Sequence, residues 1–420
     1  MRCFIVLFVL LFALSSCGTS NKFKRELKAH NESSSYFNGF VLYNPKTKKE
    51  ILNHNGANYF TPASNTKLFT FYTAYKTFKD SIKSLAYYKT NDSLIIKGTA
   101  DPTFLYSFES TKVLDFLKNE PDDIYVLDAN IDDSLYGSGW AWDDYAYSYM
   151  PEKSLFPIYG NIVKYNLSDG MLESTPHYFK TQITRLDSVL VSRQRKENLF
   201  YVQKNRQKDY EVPFITSNSL VVNLLSDKLH KNITLIPNQK ELDFKYIYTQ
   251  NTDSIYKKML TVSDNFIAEQ LLLQVGKEVA DMYSVRAAIK YSLEHYLQDL
   301  PQQPRWVDGS GLSRYNLFTP ESLVKLLEKM YLEIPTQKLL NYFPVGGASG
   351  TLEKSYKTKD KPYIYAKTGT LSNNHCLSGY IITKKGTFLI FSYMNNHYKV
   401  SSKEVKATME KTLLQIYNTY

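Results

Sequence analysis

The spacing of hydrophobic residues changes twice in the first eighty positions. Phe40-Val41-Leu42-Tyr43 and Glu50-Ile51-Leu52 flank the turn signal Asn44-Pro45, which predicts a β-hairpin. After Thr61-Pro62-Ala63-Ser64, the residues Leu68, Phe69, Phe71, Tyr72, Tyr75 and Phe78 take helical spacing, with no Gly or Pro between them. A buried helix is expected to start near Ser64. From 81 to 254 the texture is finer. Short strand-like runs (Leu94-Ile95-Ile96, Ile124-Tyr125-Val126-Leu127, Ser219-Leu220-Val221-Val222) alternate with polar turns and predict a β-rich insertion. Helical patterning returns at Asp253–Leu260, Ile267–Val275 and Pro320–Tyr331. Ile364–Ala366, Leu377–Thr383 and Phe388–Tyr393, the last two joined by Lys384-Lys385-Gly386, predict adjacent antiparallel strands. Val405, Met409, Leu413 and Ile416 then mark one face of a closing helix. The chain therefore reads as a discontinuous α/β (α+β) domain, 36–80 and 255–420, with a helical lobe and an antiparallel sheet covered by helices, interrupted by the β-rich domain 81–254.

The first residues bear on the compartment. Met1-Arg2 precedes an apolar run, Cys3 to Ala13, too short to span a bilayer, and Leu14-Ser15-Ser16-Cys17 has the form of a lipobox. Residues 1–16 are expected to be a lipoprotein signal peptide, Cys17 the acylated residue and 17–35 a polar tether. The expected location is the cell envelope, facing the periplasm, with the membrane as a partner through the lipid anchor. If Cys3 leaves and Cys17 carries lipid, Cys376 stands alone and no internal disulfide can form. The net charge of +10 is scattered rather than clustered, which argues against nucleic acid as a partner.

The seven histidines are dispersed without metal-ligand spacing, so neither a metal site nor a cofactor is expected. There is no G-x-S-x-G, P-loop or dinucleotide fingerprint. Instead, three short strings recur in order: Ser64-Asn65-Thr66-Lys67, Ser263-Asp264-Asn265 and Lys367-Thr368-Gly369. S-x-x-K also occurs at Ser254/Lys257 and Ser322/Lys325, but only Ser64 follows Pro-Ala and opens an apolar helix, and K-T-G occurs once. One helical turn puts Lys67 on the face of Ser64, where a neutral amine can take the hydroxyl proton. Burial and the charge of Lys367 are both expected to lower the Lys67 pKa. Ser263 is placed to relay the proton, and Asn265 to orient Lys67 and bond the substrate amide. Lys367 and Thr368 are placed to hold a carboxylate, and Gly369 to let a substrate strand approach. The backbone N–H groups of Ser64 and Thr370 form the expected oxyanion hole.

These strings, with Gly98–Thr103, Trp140-Ala141-Trp142-Asp143-Asp144, Asp308–Arg314, Phe343–Gly347 and Gly350-Thr351-Leu352, resemble the class C low-molecular-mass penicillin-binding proteins. The resemblance runs from about Phe40 to Asn396. It implies the penicillin-recognising transpeptidase/β-lactamase-like fold and a serine D-Ala-D-Ala carboxypeptidase or endopeptidase acting on peptidoglycan peptides, with β-lactams as covalent inhibitors. Asp308–Arg314 and Gly346–Leu352 are expected to be turns that shape the cleft wall, and Trp140 and Trp142 to pack the insertion. A β-lactamase or esterase is the alternative on the same residues. The deacylating Glu-x-x-Leu-Asn string of class A β-lactamases is absent, and the nearest match is Glu152-Lys153-Ser154-Leu155-Phe156. A non-catalytic wall-binding lipoprotein would have no use for Lys67 or Ser263.

Overall fold

The computed structural model describes residues 25, 29 and 35–420, apart from 121–122, 169–170, 189–191, 205–208, 240–241 and 360. The leader, Cys17 and nearly all of the tether therefore lie outside the described residues. In chain order the strands are β1 (Phe37–Asn44), β2 (Lys49–His54), β3 (Ser81–Lys89), β4 (Leu94–Lys97), β5 (Ile124–Asp128), β6 (Ile162–Ser168), β7 (Met171–Thr175), β8 (Ile183–Leu186), β9 (Ser192–Arg193), β10 (Phe200–Gln203), β11 (Tyr210–Pro213), β12 (Ile233–Pro237), β13 (Lys245–Asn251), β14 (Ile364–Leu371), β15 (Asn374–Ile382) and β16 (Phe388–Asn396). The helices are α1 (Thr66–Thr77), α2 (Lys112–Asn119), α3 (Asn218–Leu229), α4 (Thr252–Thr261), α5 (Asn265–Ala280), α6 (Val285–His295), α7 (Pro320–Glu333), α8 (Thr336–Asn341) and α9 (Ser402–Thr419).

One sheet, ordered β14-β15-β16-β1-β2, is antiparallel throughout and takes strands from both ends of the chain. Its period-2 alternation separates two cores. Cys376, Tyr380, Ile390 and Met394 face the helical lobe, where they pack with Leu68, Phe69, Leu271 and Leu327. Leu377, Ile381, Leu389 and Phe391 face the other way and meet Val405, Met409, Leu413 and Ile416 of α9. Burial on both faces explains why these strands read as near-continuous apolar runs. Helix α1 runs through the lobe with every residue from Thr66 to Ala74 buried, so it has no solvent face to carry polar residues.

Between α1 and α4 lies a third core, centred on Leu94, Val126, Phe179, Phe200 and Leu224. It joins a sheet ordered β12-β5-β4-β3-β13 to two three-stranded sheets, β11-β6-β7 and β8-β10-β9. The expectation of a strand at Ser219–Val222 is corrected here, because these residues begin α3. Ser217 caps the helix by accepting from the Leu220 N–H, and Leu220, Val221, Leu224, Leu225 and Leu229 are buried at helical spacing. Three apolar residues in a row are too few to distinguish a strand from one helical turn. Helices α2 and α6 also escaped the sequence reading.

Candidate active site

Pro62 leads into a short 3-10 turn, Ala63–Asn65, which continues directly into α1. This sets Ser64 at the helix N-terminus, facing a cavity of about 600 Å³ that is also lined by Ser263, Asn265, Arg314 and Thr370. One turn on, the Lys67 amine is wholly buried. Its Nζ donates to Ser64 Oγ (3.0 Å), Asn265 Oδ1 (2.6 Å) and the Ser310 carbonyl (2.6 Å). Burial pushes the amine down to about 8, against the carboxylates of Asp308, Glu269 and Asp264, which favour the ammonium. Burial first, and then the charge of Lys67, hold the Lys367 amine well below its ordinary value.

The second string sits between α4 and α5. Ser263 adopts a left-handed backbone (φ 63°), a costly conformation for a residue other than Gly. The turn is held on its far side by Asp264, which caps α5 through the Ile267 N–H (2.9 Å) and accepts from the Tyr106 hydroxyl (2.8 Å). The strain aims Ser263 Oγ at Lys367, whose Nζ donates to it at 2.8 Å and to the Thr368 carbonyl at 2.8 Å. Asn265, the first residue of α5, turns its amide nitrogen to the Tyr149 carbonyl (2.8 Å), which brings the insertion to the edge of the cleft.

The third string lies on the edge strand β14. Thr368 Oγ1 donates to Thr351 Oγ1 (2.9 Å), and Thr370 Oγ1 pairs with His375 Nδ1 (2.8 Å) on β15. Asn65 ties β14 to the nucleophile turn by donating to the Lys367 carbonyl (3.0 Å). Gly369 also answers to a packing demand within the protein. A Cβ there would collide with the Pro62 carbonyl oxygen and crowd Asn65. The glycine is required by the protein's own packing, whether or not a substrate lies nearby.

The structure thus brings Ser64, Lys67, Ser263, Asn265, Lys367 and Thr370 to one cleft. It adds groups that the sequence reading passed over. Asp308–Arg314 is more than a wall. Ser310 supplies a carbonyl to Lys67, and Asp308 accepts from the N–H groups of Gly311 (2.8 Å) and Ser313 (2.6 Å) and from Trp140 Nε1 (2.9 Å). Gly311, at φ 81°, packs so closely on the Ala63 carbonyl that no side chain fits. Glu269 is buried on α5 and accepts from the Ser310 N–H (2.7 Å); burial, and then Asp308, push it up to about 7. Carbonyl contacts carry no side-chain signature, so Ser310 could not have been found from the sequence. Asp264 could have been, as a capping residue before an apolar run. Trp142, expected to pack the insertion, is 68% exposed, and only Trp140 is tied inward. The Glu152 carboxylate is taken up by other partners, the Thr216 N–H and hydroxyl (2.7 Å each) and Tyr136 (3.0 Å).

Residues 24–207 and 250–416 match the model of the D-Ala-D-Ala carboxypeptidase 3 (S13) family. The chain belongs to this family. Among curated members it is 25% identical to penicillin-sensitive carboxypeptidase A of Dictyostelium discoideum, over 84% of this chain and 81% of that one. It is 24% identical to D-alanyl-D-alanine carboxypeptidase DacB of Haemophilus influenzae, over 90% of each. The fold matches crystalline penicillin-binding protein 4 of Haemophilus influenzae with TM-score 0.73 at 20% identity, over 92% of this chain and 96% of that one. A predatory peptidoglycan endopeptidase of Bdellovibrio bacteriovorus matches with TM-score 0.54 at 14% identity, over 90% and 92%. The chain is a serine-type D-Ala-D-Ala carboxypeptidase of the S13 family with the penicillin-recognising fold.

Proposed function

We propose that this S13 enzyme cleaves D-Ala-D-Ala, and the D-Ala-diaminopimelate bond of peptidoglycan cross-links, through an acyl-enzyme on Ser64. One observation carries the reading. Two buried lysine amines each meet a serine hydroxyl across the same cleft, Lys67 with Ser64 at 3.0 Å and Lys367 with Ser263 at 2.8 Å. In its neutral form Lys67 accepts the Ser64 proton as Oγ attacks the carbonyl carbon. The tetrahedral oxyanion lies against the N–H groups of Ser64 and Thr370, where one such donor contributes about 3 kcal/mol. Ser263 passes the proton to the leaving amine, the C–N bond breaks, and the departing fragment carries its own carboxylate away from Lys367 and Thr368. Water, deprotonated by Lys67, then releases Ser64.

β-Lactams meet the same nucleophile and are expected to form a long-lived adduct, since the Glu-x-x-Leu-Asn string is absent and the Glu152 carboxylate is held by Thr216 and Tyr136. A related endopeptidase of this fold has been solved acylated by penicillin G. Residues 36–80 and 255–420 act as the catalytic unit and 81–254 as its insertion. The sheet built from both ends of the chain supports this division. The reading of 1–16 as a signal peptide, of Cys17 as a lipid anchor and of a periplasm-facing site agrees with action on the cell wall. Among the described residues no helix is long and apolar enough to cross a membrane.

The test is mass spectrometry after benzylpenicillin. The adduct is expected on the Ser64 peptide and should be missing from Ser64→Ala, which should melt like the native protein and lose D-Ala release by at least about 10⁴-fold. A stable adduct elsewhere, or activity retained in Ser64→Ala, would overturn the assignment.

A further inference from the structure

The segment between β5 and β6 that carries Trp140–Asp144 forms a wall between two cavities. Ala141, Asp143 and Asp144 line the cleft that holds Ser64. Trp140, Trp142 and Tyr145 line a second cavity of about 480 Å³ on the other side, bounded by Arg195 and Lys196. Trp142 is 68% exposed, with the Arg195 guanidinium 5.0 Å from its ring centre. Glu152, only 4% exposed, lies at the floor. Tyr147 and Tyr149 stack on each other (centroids 5.3 Å apart, planes 5° apart) and are 56% and 42% exposed, so the aromatic surface continues to the rim of the catalytic cleft. Among the described residues, none of the three hydrophobic cores includes Trp142.

We propose that this second cavity is a saccharide subsite that holds the glycan strand from which the reacting peptide hangs. A pyranose ring presents apolar C–H faces, which pack on flat aromatic rings, and a girdle of hydroxyls, which pair with charged groups. Trp142 and Tyr145 offer the rings. Arg195 offers a fork of donors and Lys196 an ammonium, both at exposed positions. The volume lies within the roughly 300–1,000 Å³ usual for small-ligand sites. Continuity with the cleft selects the occupant. The inference rests on the proposed peptidoglycan substrate, and a peptide bound beside Ser64 tethers its own sugars next to the shared wall. Tethering raises their local concentration to the order of millimolar without any new affinity for free sugar.

Two measurements test this on the full chain. The first titrates a peptide-free GlcNAc–MurNAc tetrasaccharide into Ser64→Ala protein and follows tryptophan fluorescence. Saturable binding is expected, weakened about tenfold when Trp142→Ala is added, and weakened likewise by Arg195→Ala, both changes being at exposed positions. The second compares kcat/KM for a disaccharide-linked pentapeptide with that for the free pentapeptide. The ratio is expected to be about ten in the native enzyme and near one in Trp142→Ala. No saturable sugar binding, or a ratio equal in native and variant proteins, would overturn the subsite. Failure of benzylpenicillin to label Ser64 in the native protein would instead remove the peptidase reading, and sugar binding to Ser64→Ala reports on the cavity independently of that result.

Discussion

The Lys67 base can be tuned through a group that never touches it. Burial brings the amine from 10.5 to about 8, so at pH 7 roughly a tenth is neutral, against about 0.03% for an unshifted lysine. That gain of about 300-fold corresponds to roughly 3.4 kcal/mol. Three carboxylates work against it, and Glu269 is the one whose removal disturbs the loop least. Its link to Lys67 runs through Ser310, by hydrogen bonds of 2.7 Å to the N–H and 2.6 Å from the amine to the carbonyl. The N and O of one residue lie about 3.6 Å apart at most, so the charges are within about 9 Å. At an effective dielectric of about 20, the ionised pair attracts by about 1.8 kcal/mol or more, which is roughly 1.3 pKa units. Because Glu269 itself is pushed up to about 7, only part of this acts at neutral pH. Glu269→Gln keeps an acceptor for Ser310 and removes the anion. Losing an anion disfavours the ammonium, so the Lys67 pKa falls. The rising limb of Ser64 acylation against pH should therefore move from near 8 to near 7, and acylation at pH 7 should quicken about fivefold. The assay is the second-order rate of acylation by a fluorescent penicillin between pH 5.5 and 9. A limb that stays in place or moves to higher pH would refute the view that a neutral Lys67 is the base.

Three further outcomes follow from the packing. Gly369→Ala forces β14 away from the Pro62 carbonyl and Asn65 and should cost about 1–3 kcal/mol in urea unfolding, with acylation slowed in parallel. Asp101 is buried and burial pushes it from 3.8 up to about 6, so its contribution to stability is complete below pH 3.8 and lost as pH rises to about 6. Asp101→Asn can keep the Thr103 N–H contact (2.9 Å) and should exceed the native protein by up to about 3 kcal/mol in urea unfolding at pH 7, with the advantage vanishing near pH 4. The Cys376 thiol is buried on β15 and pushed up to about 12, so iodoacetamide at pH 8 should leave the Cys376 peptide unlabelled until the protein is unfolded, as peptide mapping would show.

Much of this site was legible because its spacing is local. Ser64 and Lys67 are three residues apart, and that spacing means one face wherever a helix forms; a solid apolar run from Leu68 made the helix plain. The hairpin at 40–52, the three closing strands and α9 were legible for the same reason, since each is announced by its own period. The misreadings share a cause. Ser219–Val222 has equal claims to strand and helix until Ser217 is seen capping it and Leu224, Leu225 and Leu229 continue the buried face. Trp142 was assigned to packing because large aromatics usually are buried, and only the position of the insertion beside the cleft leaves it in water.

What no local pattern could give is the scaffold that sets Lys67's charge. Glu269 acts on the amine through a backbone carbonyl and a backbone N–H of Ser310, more than forty positions away, and neither partner is a side chain. A motif records the groups that must be present at the reaction. The environment that decides their protonation is made where distant backbone is packed against them. Here that packing comes from Gly311 against Ala63 and Gly369 against Pro62, two contacts that admit no side chain. The three strings can therefore operate as a unit only while both glycines hold the nucleophile turn between the 308–314 loop and β14.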